Sequence, residues 1–570
     1  MNAAGNWEAL KTIVFREIHR ILRIWGQTLV PPAITMTLYF LIFGQLVGSR
    51  IGEMGGHRYM DFIVPGLVMM SVIQNAYANV VSSFFGSKFG RYVEELLVSP
   101  TPNWIILAGY VSGGVLRGCM VGGIVLAVSL LFTDLSIAHP LVMVASVVLA
   151  GVLFALAGFV NAVYAKKFDD ISIIPTFILT PLTYLGGVFY SVSLLPDFWR
   201  NVSLANPILY TVNAFRYGVL GESDVSVGMA FAIMLAMIAV LGAFCLRLLD
   251  QGVDVYITSW KNPDASMREV RFDDYLVEGI SAIVRVAREC SGAERVHAVG
   301  YCIGGTALAT WMAWAARHYG EDAVPVRDWT LFTTLVDFHK PGDIEVFIDE
   351  ESVAHLSEQM KEKGYLDGKD MAASFRLLRS NSLIWHYVVH GWLYGESPAP
   401  FDVLYWNMDT TRMPAAMHAW YLRELYLNNR LVQPDALVVA GEPIDLRRIR
   451  QPLYVVAAED DHIAPWAQTF HTVHHVAADK RFVLSSSGHI LGIVNPPVTP
   501  PRRHYRVATA HRADRAPLWR ERAALREGSW WEDWMAWLKP RAGELVAARP
   551  AADERHPALG DAPGTYVLEA

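Results

Sequence analysis

The strongest constraint on this chain is a series of apolar runs of membrane-crossing length that fills the first 249 residues and then stops. About 20 apolar residues are needed to cross the hydrocarbon core as a helix. The candidate spans are Leu29 to Val47, Phe62 to Phe85, Ile105 to Phe132, Leu141 to Tyr164, Ile171 to Tyr190 and Val227 to Leu248. Charge changes at the same place. Residues 1 to 249 hold 14 Lys+Arg and 12 Asp+Glu, leaving 34 and 43 for the rest of the 570 residues. The two parts are suited to different solvents, and we expect two domains, 1–249 and 250–570. A long charged segment precedes the first apolar run and no small-residue cleavage pattern follows it, so a signal peptide is not expected and all six spans should be kept.

Lys and Arg in the short loops predict orientation. Lys11, Arg16, Arg20, Arg23, Lys88, Arg91, Lys166 and Lys167 fall on one side, and Arg50, Arg58, Arg200 and Arg216 on the other. This bias places the N-terminus in the cytoplasm, and an even number of spans puts residue 250 onward there too. Before the first span, Trp7, Leu10, Val14, Ile18, Ile21, Leu22 and Trp25 recur at helical spacing, with Glu8, His19, Arg20 and Arg23 on the other side. That pattern predicts an amphipathic helix in the cytoplasmic interface, its cations available to anionic membrane lipid. Cys119, Cys245, Cys290 and Cys302 form no CxxC pair, so neither a disulfide framework nor a zinc site is expected. Asp169 and Asp170 read as a loop paired with Lys166 and Lys167, and Arg117 as lining a cavity or snorkelling.

The segment Lys88-Phe89-Gly90-Arg91-Tyr92-Val93-Glu94-Glu95-Leu96-Leu97-Val98-Ser99-Pro100 is a short charged stretch whose helix must stop near its proline. Together with Phe168-Asp169-Asp170-Ile171-Ser172, the run Thr180 to Ser191, Asn206-Pro207 and Phe215-Arg216-Tyr217-Gly218, it resembles the ABC-2 family of transporter permeases. The resemblance covers nearly all of residues 1–249. It implies an all-α, six-helix, multi-pass inner-membrane domain with both termini cytoplasmic, in which Glu94 and Glu95 contact an ATPase. No GxxxxGK[ST] occurs in the chain, so ATP must be handled by a separate ABC ATPase subunit. A homodimer of permeases on a dimer of ATPases is implied.

In the second part, Val253 to Trp260 has strand composition and Phe272 to Glu289 helical periodicity. The run Val296-His297-Ala298-Val299-Gly300 reads as a buried strand entering Tyr301-Cys302-Ile303-Gly304-Gly305-Thr306 and a helix. Glycines at this spacing allow a tight strand-to-helix turn that exposes a nucleophile, here a thiol in place of a hydroxyl. The GxCxG string alone also fits a buried structural thiol. Further along, the strand Leu453 to Ala457 ends in Glu459-Asp460-Asp461-His462, and the strand Arg481 to Leu484 ends in Ser487-Gly488-His489-Ile490. Nucleophile, acid, histidine is the chain order of α/β-hydrolases. Glu459, Asp460 and Asp461 all remain candidates for the acid on this reading.

Residues 252 to 538 resemble class I polyhydroxyalkanoate synthases through Ser259-Trp260-Lys261-Asn262-Pro263-Asp264, Phe272-Asp273-Asp274-Tyr275, Leu404-Tyr405-Trp406-Asn407, the His489 loop with Asn495-Pro496-Pro497, and Gly528-Ser529-Trp530-Trp531. The resemblance implies an α/β-hydrolase domain with a helical cap at about 328–440 and (R)-3-hydroxyacyl-CoA as substrate. It also implies Cys302 as acyl-accepting nucleophile, His489 as general base and Asp461 as the acid. The Ile303 amide should donate to the oxyanion. No cofactor, metal ion or nucleic-acid partner is expected. The aromatics Trp385, Trp392, Tyr405, Trp406 and Trp420 read mostly as core of the cap, and His471, His474 and His475 as a surface helix. Family members carry an N-terminal domain and opening sheet strands before the counterpart of Val253 to Trp260; here the last apolar span stands in their place. The domain is therefore N-terminally truncated, and weak or absent polymerase activity is expected. A tethered acyltransferase, a transporter with a vestigial tail and a non-physiological gene fusion are the three readings.

Overall fold

The computed structural model describes residues 3–54, 56–99, 101–249, 252–378, 380–397, 410–498, 500–544, 546, 552–560 and 564–565. Two compact units emerge, Met1–Gly252 and Val253–Ala570.

In the first unit α1 (Ala3–Arg23) leads into α2 (Trp25–Phe43), α3 (Tyr59–Phe89), the short α4 (Tyr92–Val98), α5 (Asn103–Ser129), α6 (Pro140–Tyr164), α7 (Pro207–Leu220) and α8 (Val227–Leu249). Among the described residues α2, α3, α5, α6 and α8 are the helices long and apolar enough to cross a membrane, which is five and not the expected six. The expected span from Ile171 to Tyr190 is instead a helical run over 170–184 with a π turn at Pro175–Leu179. Pro175 and Pro181 each remove a backbone donor, and Gly187 at φ +75° ends the run in a turn.

Helix α3 is the centre of the unit, buried along most of its length. Small residues let its neighbours approach closely. A Cβ on Gly114 of α5 would lie 2.9 Å from the Ala76 carbonyl, and one on Gly158 of α6 only 2.6 Å from that of Tyr77.

Helix α1 corrects the amphipathic reading in one respect. Its outer face does carry Trp7, Phe15 and Leu22, all exposed, but Arg20 is not a free cation. It bonds the Asn79 side chain at 2.7 Å and pairs with Glu17 at 3.2 Å. Glu17 is fully buried against α5 beside Gly113 and accepts from Ser83 at 2.5 Å.

Two more cations counted as loop charges are also committed. The Lys88 ammonium donates to the carbonyls of Val163 and Ala165 at 2.6 and 2.8 Å, capping the C-terminal end of α6. Arg216, buried within α7, donates to the Gly187 carbonyl at 2.6 Å and lies 4.0 Å over the Phe62 ring. Asp170 does hold Lys166 and Lys167, through their backbone N–H groups rather than their ammonium groups.

The second unit is built on a six-stranded mixed sheet. After helix α9 (Ser281–Ser291) come β1 (Val296–Tyr301), α10 (Ile303–His318), β2 (Val326–Phe332), β3 (Leu453–Ala458), β4 (Lys480–Ser485), β5 (His504–Ala510), β6 (Ala524–Glu527) and helix α11 (Trp531–Leu538). Spatial order is β6-β5-β4-β3-β2-β1, parallel from β1 to β4 and antiparallel beyond. Alternate residues of β3, Leu453, Val455 and Ala457, belong to the larger core with Trp311 and Trp329, while Tyr454 and Val456 face a smaller one around Trp530. Of the tryptophans in the larger core, Trp311 and Trp329 have their indole N–H groups satisfied, by the Ser281 hydroxyl at 2.9 Å and the Gln451 carbonyl at 3.1 Å.

The sheet departs from expectation at its open edge. Val253 to Trp260 is not a strand: it is an irregular, exposed segment with Val255 80 % and Ile257 86 % accessible. A strand needs a neighbour to take its backbone hydrogen bonds, and where the resemblance places opening strands this chain has a membrane helix. β1 is accordingly an edge strand.

A further strand, β2, lies inside the stretch assigned to the cap, so the helical insertion begins after Phe332 rather than at about 328. Of the cap aromatics, Trp420 packs on Phe272, whereas Trp385 and Trp392 are exposed. Tyr405 and Trp406 lie outside the described residues.

Candidate thiol site and what the chain resembles

Cys302 sits between β1 and α10 at φ 51°, ψ −123°, a conformation costly for a residue with a side chain and held here by its surroundings. The Cys302 N–H donates to the Phe332 carbonyl at 3.0 Å, and its carbonyl receives the Gly305 and Thr306 amides. The glycines that make this turn possible are Gly300 and Gly305. A Cβ on Gly300 would come within 2.5 Å of the Gly305 Cα, and one on Gly305 would collide with Thr334. Gly304, part of the GxCxG string, has open space at that position. Gly305→Ala is therefore expected to lower stability by about 1–3 kcal/mol through overpacking, read as a shift in the denaturant midpoint, while Gly304→Ala leaves it nearly unchanged.

The histidine and the acid come from the C-terminal ends of neighbouring strands. Asp461 follows β3 and is buried; one carboxylate oxygen accepts the Ile463 and Ala464 amides at 2.9 Å each. Its other oxygen accepts from His489 Nδ1 at 2.7 Å. This bond directs Nδ1–H at the acid and leaves Nε2 for the thiol side. Of the three candidate acids, Asp461 is the one that meets His489. Glu459 pairs with Arg520, and Asp460 is exposed.

Burial acts to lower the imidazole pKa, but the Asp461 hydrogen bond and the interaction with the Cys302 thiol outweigh it, and His489 is pushed up to about 10. The structure thus brings Cys302, Asp461 and His489 together. Ile303 opens α10, where the first amides have no partner within the helix.

Sequence reasoning missed several supporting groups. The Tyr301 ring lies 5.3 Å from that of His489, and its hydroxyl donates to the His489 carbonyl at 3.3 Å. Tyr421, buried, and Tyr426, half-buried, come from the helical insertion to lie near the thiol; burial is the largest cause that raises both phenols, followed by the neighbouring Tyr426 for Tyr421 and by Cys302 for Tyr426. The Gly528-Ser529-Trp530-Trp531 string, read as a mark of resemblance, has a mechanical role. The Trp530 and Trp531 indoles donate to the carbonyls of Gly492 and Ile493 at 2.9 Å each, and Ser529 to that of Asn495, fastening the loop that carries His489.

His471 and His475 face Asp337, at 2.8 and 3.7 Å, and His474 bonds the Arg512 carbonyl. Glu94 and Glu95 are exposed on the first turn of α4, which is anchored by buried Val93 and entered through Arg91 at φ 63°.

Comparison with known proteins follows the same division. Residues 8–220 match the family described as ABC-2 type transporter, and residues 244–496 the alpha/beta hydrolase fold. The chain is 60 % identical over 247 residues to the inner membrane transport permease YadH of Escherichia coli (strain K12), covering 43 % of this chain and 96 % of that protein. It is 42 % identical over 328 residues to the poly(3-hydroxyalkanoate) polymerase subunit PhaC of Rhizobium etli, covering 57 % of this chain and 50 % of that one. A similar match, 41 % over 330 residues, covers 56 % of this chain and 55 % of the Cupriavidus necator subunit. The chain thus spans about half the length of the polymerases it matches. It is a fusion that belongs to the ABC-2 type transporter family through its first part and carries behind it an alpha/beta hydrolase region matching the poly(3-hydroxyalkanoate) polymerases.

Proposed function

We propose that the second unit is a thiol acyltransferase of polyhydroxyalkanoate type with low turnover, tethered to the permease of an ATP-driven exporter in the inner membrane. The observation that carries the chemistry is the Asp461–His489 bond at 2.7 Å beside a cysteine on a strained strand-to-helix turn. In this reading His489 takes the Cys302 proton and the thiolate attacks the thioester carbonyl of (R)-3-hydroxyacyl-CoA. The Ile303 amide donates to the oxyanion, and CoA leaves with the proton held by His489. The 3-hydroxyl of the next acyl-CoA then attacks the acyl-cysteine and gives its proton to His489; the thioester bond breaks, the Cys302 sulfur leaves and takes that proton, and the chain, one ester longer, is now carried on CoA and can return to Cys302 by the first step.

Low turnover follows from the open sheet edge. α/β-Hydrolases draw a second oxyanion amide from the loop after their third strand. The chain ahead of Val253 is the membrane helix α8 instead. Losing one such donor costs about 100- to 1,000-fold in turnover. Release of CoA from 3-hydroxybutyryl-CoA by the purified full chain is therefore expected to be slow. A rate equal to that of a full-length polymerase assayed alongside would overturn the attenuation.

That Val253 to Trp260 forms no strand favours a second reading, in which the unit is a vestigial tail on a working permease. Absence of any acyl adduct on Cys302 would decide for it. Long-read sequencing across codon 249 tests whether the frame is continuous and whether an ATPase gene adjoins it.

For the permease we assign the ATPase contact to Glu94 and Glu95, with a homodimer of the membrane unit, lipid around it and both termini in the cytoplasm. The Glu94→Lys, Glu95→Lys double variant should insert normally and fail to co-purify with a co-expressed ABC ATPase that the wild-type chain retains. Undiminished co-purification would remove α4 from the interface.

A further inference from the structure

A second cluster of ligand-forming side chains lies in the hydrolase unit, in residues the thiol site does not use. Cys290, near the C-terminal end of α9, faces Asp553 and His556 of the C-terminal segment, and the potential ligand atoms of all three lie within 4.8 Å of one another. Cys290 Sγ is 3.5 Å from His556 Nδ1, and that nitrogen is 3.2 Å from Asp553 Oδ1. For a tetrahedral zinc ion with bonds of about 2.3 Å to sulfur and about 2.0–2.1 Å to nitrogen and oxygen, the sulfur–nitrogen and nitrogen–oxygen edges are about 3.6 and 3.4 Å. The observed separations are close to the edges of such a site.

One detail favours a cation over a chance contact. His556 Nε2 is 3.1 Å from the Glu289 carboxylate. Donation of Nε2–H to Glu289 fixes the tautomer with its lone pair on Nδ1, the nitrogen that faces Cys290 and Asp553. A carboxylate behind a histidine is the usual outer partner of a metal-bound imidazole. Asp553 is itself set in place by the Arg555 and His556 amides at 2.9 and 2.7 Å, which hold its carboxylate beside the imidazole.

We propose that Cys290, Asp553 and His556 bind one divalent ion of the zinc class, with Glu289 orienting His556, and that this ion clips the C-terminal segment to α9. Three protein ligands leave a fourth position for water. Such an ion joins residues more than 260 positions apart in sequence and makes the tail's attachment depend on metal supply.

The test uses the tag-free full chain in detergent, stripped with chelator and titrated with Co²⁺ alone. The expected result is one equivalent bound with a sulfur-to-cobalt charge-transfer band, displaced by Zn²⁺, lost in Cys290→Ser and in His556→Ala, and unchanged in Cys302→Ala. Glu289→Gln should weaken binding by about 10- to 100-fold. Limited proteolysis gives an independent readout, since Zn²⁺ should protect the segment around residue 556 in the wild type and not in His556→Ala. Lack of the band in the wild type, a band that survives Cys290→Ser but vanishes in Cys302→Ala, or a tail whose cleavage ignores Zn²⁺ would overturn the site.

Discussion

After incubation with 3-hydroxybutyryl-CoA, intact-mass analysis is expected to find a single acyl adduct on the chain, and the Cys302→Ala variant is expected to carry none. The effect on CoA release should be large, because removing the nucleophile of a triad costs up to about 10⁶-fold in turnover. The same variant has a second consequence that does not depend on substrate. The Cys302 thiol helps to hold the His489 pKa up at about 10, so its removal, like Asp461→Asn, should lower that pKa toward the ordinary imidazole value. NMR titration of the ring protons reads this directly. An unchanged His489 titration in Cys302→Ala would mean that the two side chains are not coupled.

Linkage gives the sign for stability. A histidine whose folded pKa is raised contributes stability that is complete below about pH 6.5 and is lost as the pH rises through the folded value. The hydrolase unit should accordingly lose denaturant resistance between about pH 6.5 and 10, and His489→Phe should flatten that slope.

Asp533→Ala is expected to destabilise the hydrolase unit by at most about 3–5 kcal/mol, the cost of stripping one partner from a fully buried ion pair, since Arg481 is half-buried. Asp533 on α11 is buried. It accepts from Arg481 on β4 at 2.6 and 2.7 Å and from the Tyr454 hydroxyl on β3 at 2.9 Å. Without the carboxylate, the Arg481 guanidinium and a buried phenol lose their partner together. The control is the double variant Asp533→Leu, Arg481→Met, which removes both charges and should recover much of the loss. Equal denaturant midpoints for the single and the double variant would show that the charge left behind is not the cause.

The membrane part was legible wherever a long apolar run sufficed, and misleading where a polar residue had a private partner. Arg20 and Arg216 look like loop cations in sequence because nothing local reveals Asn79 or the Gly187 carbonyl. The broken run over 170–184 had its signal in Pro175, Pro181 and Gly187, which a hydropathy window averages away.

In the hydrolase part β3 stands out as an unbroken apolar run, and β1 and β4 as mainly apolar ones interrupted by His297 and opened by Lys480-Arg481, all three with chemistry at their ends. β2 was overlooked because Asp328 and Thr330 interrupt its pattern. Both are fully buried, and His297 on β1 bonds both, Thr330 at 3.0 Å, so their polarity is absorbed across the sheet. Val253 to Trp260 failed for the opposite reason: its composition is right for a strand, and composition cannot supply a neighbour. The order nucleophile, acid, histidine was readable because turns at strand ends are local. The tyrosines near the thiol and the tryptophans behind the histidine loop were not, since they arrive from distant parts of the chain.

The indole bonds from Trp530 and Trp531 to the loop that carries His489 also set a schedule. Cys302, Asp461 and His489 will all have left the ribosome well before the two indoles do. Until then the loop that carries His489 lacks both indole bonds, and the imidazole is expected to be less firmly placed beside Cys302. On the proposed function, a product ended by a stop codon just before residue 529 would hold Cys302, Asp461 and His489 without the indoles that fasten the histidine loop, and it is expected to be inactive. On the same reading, competence is expected only once Trp530 and Trp531 have been made, late in synthesis.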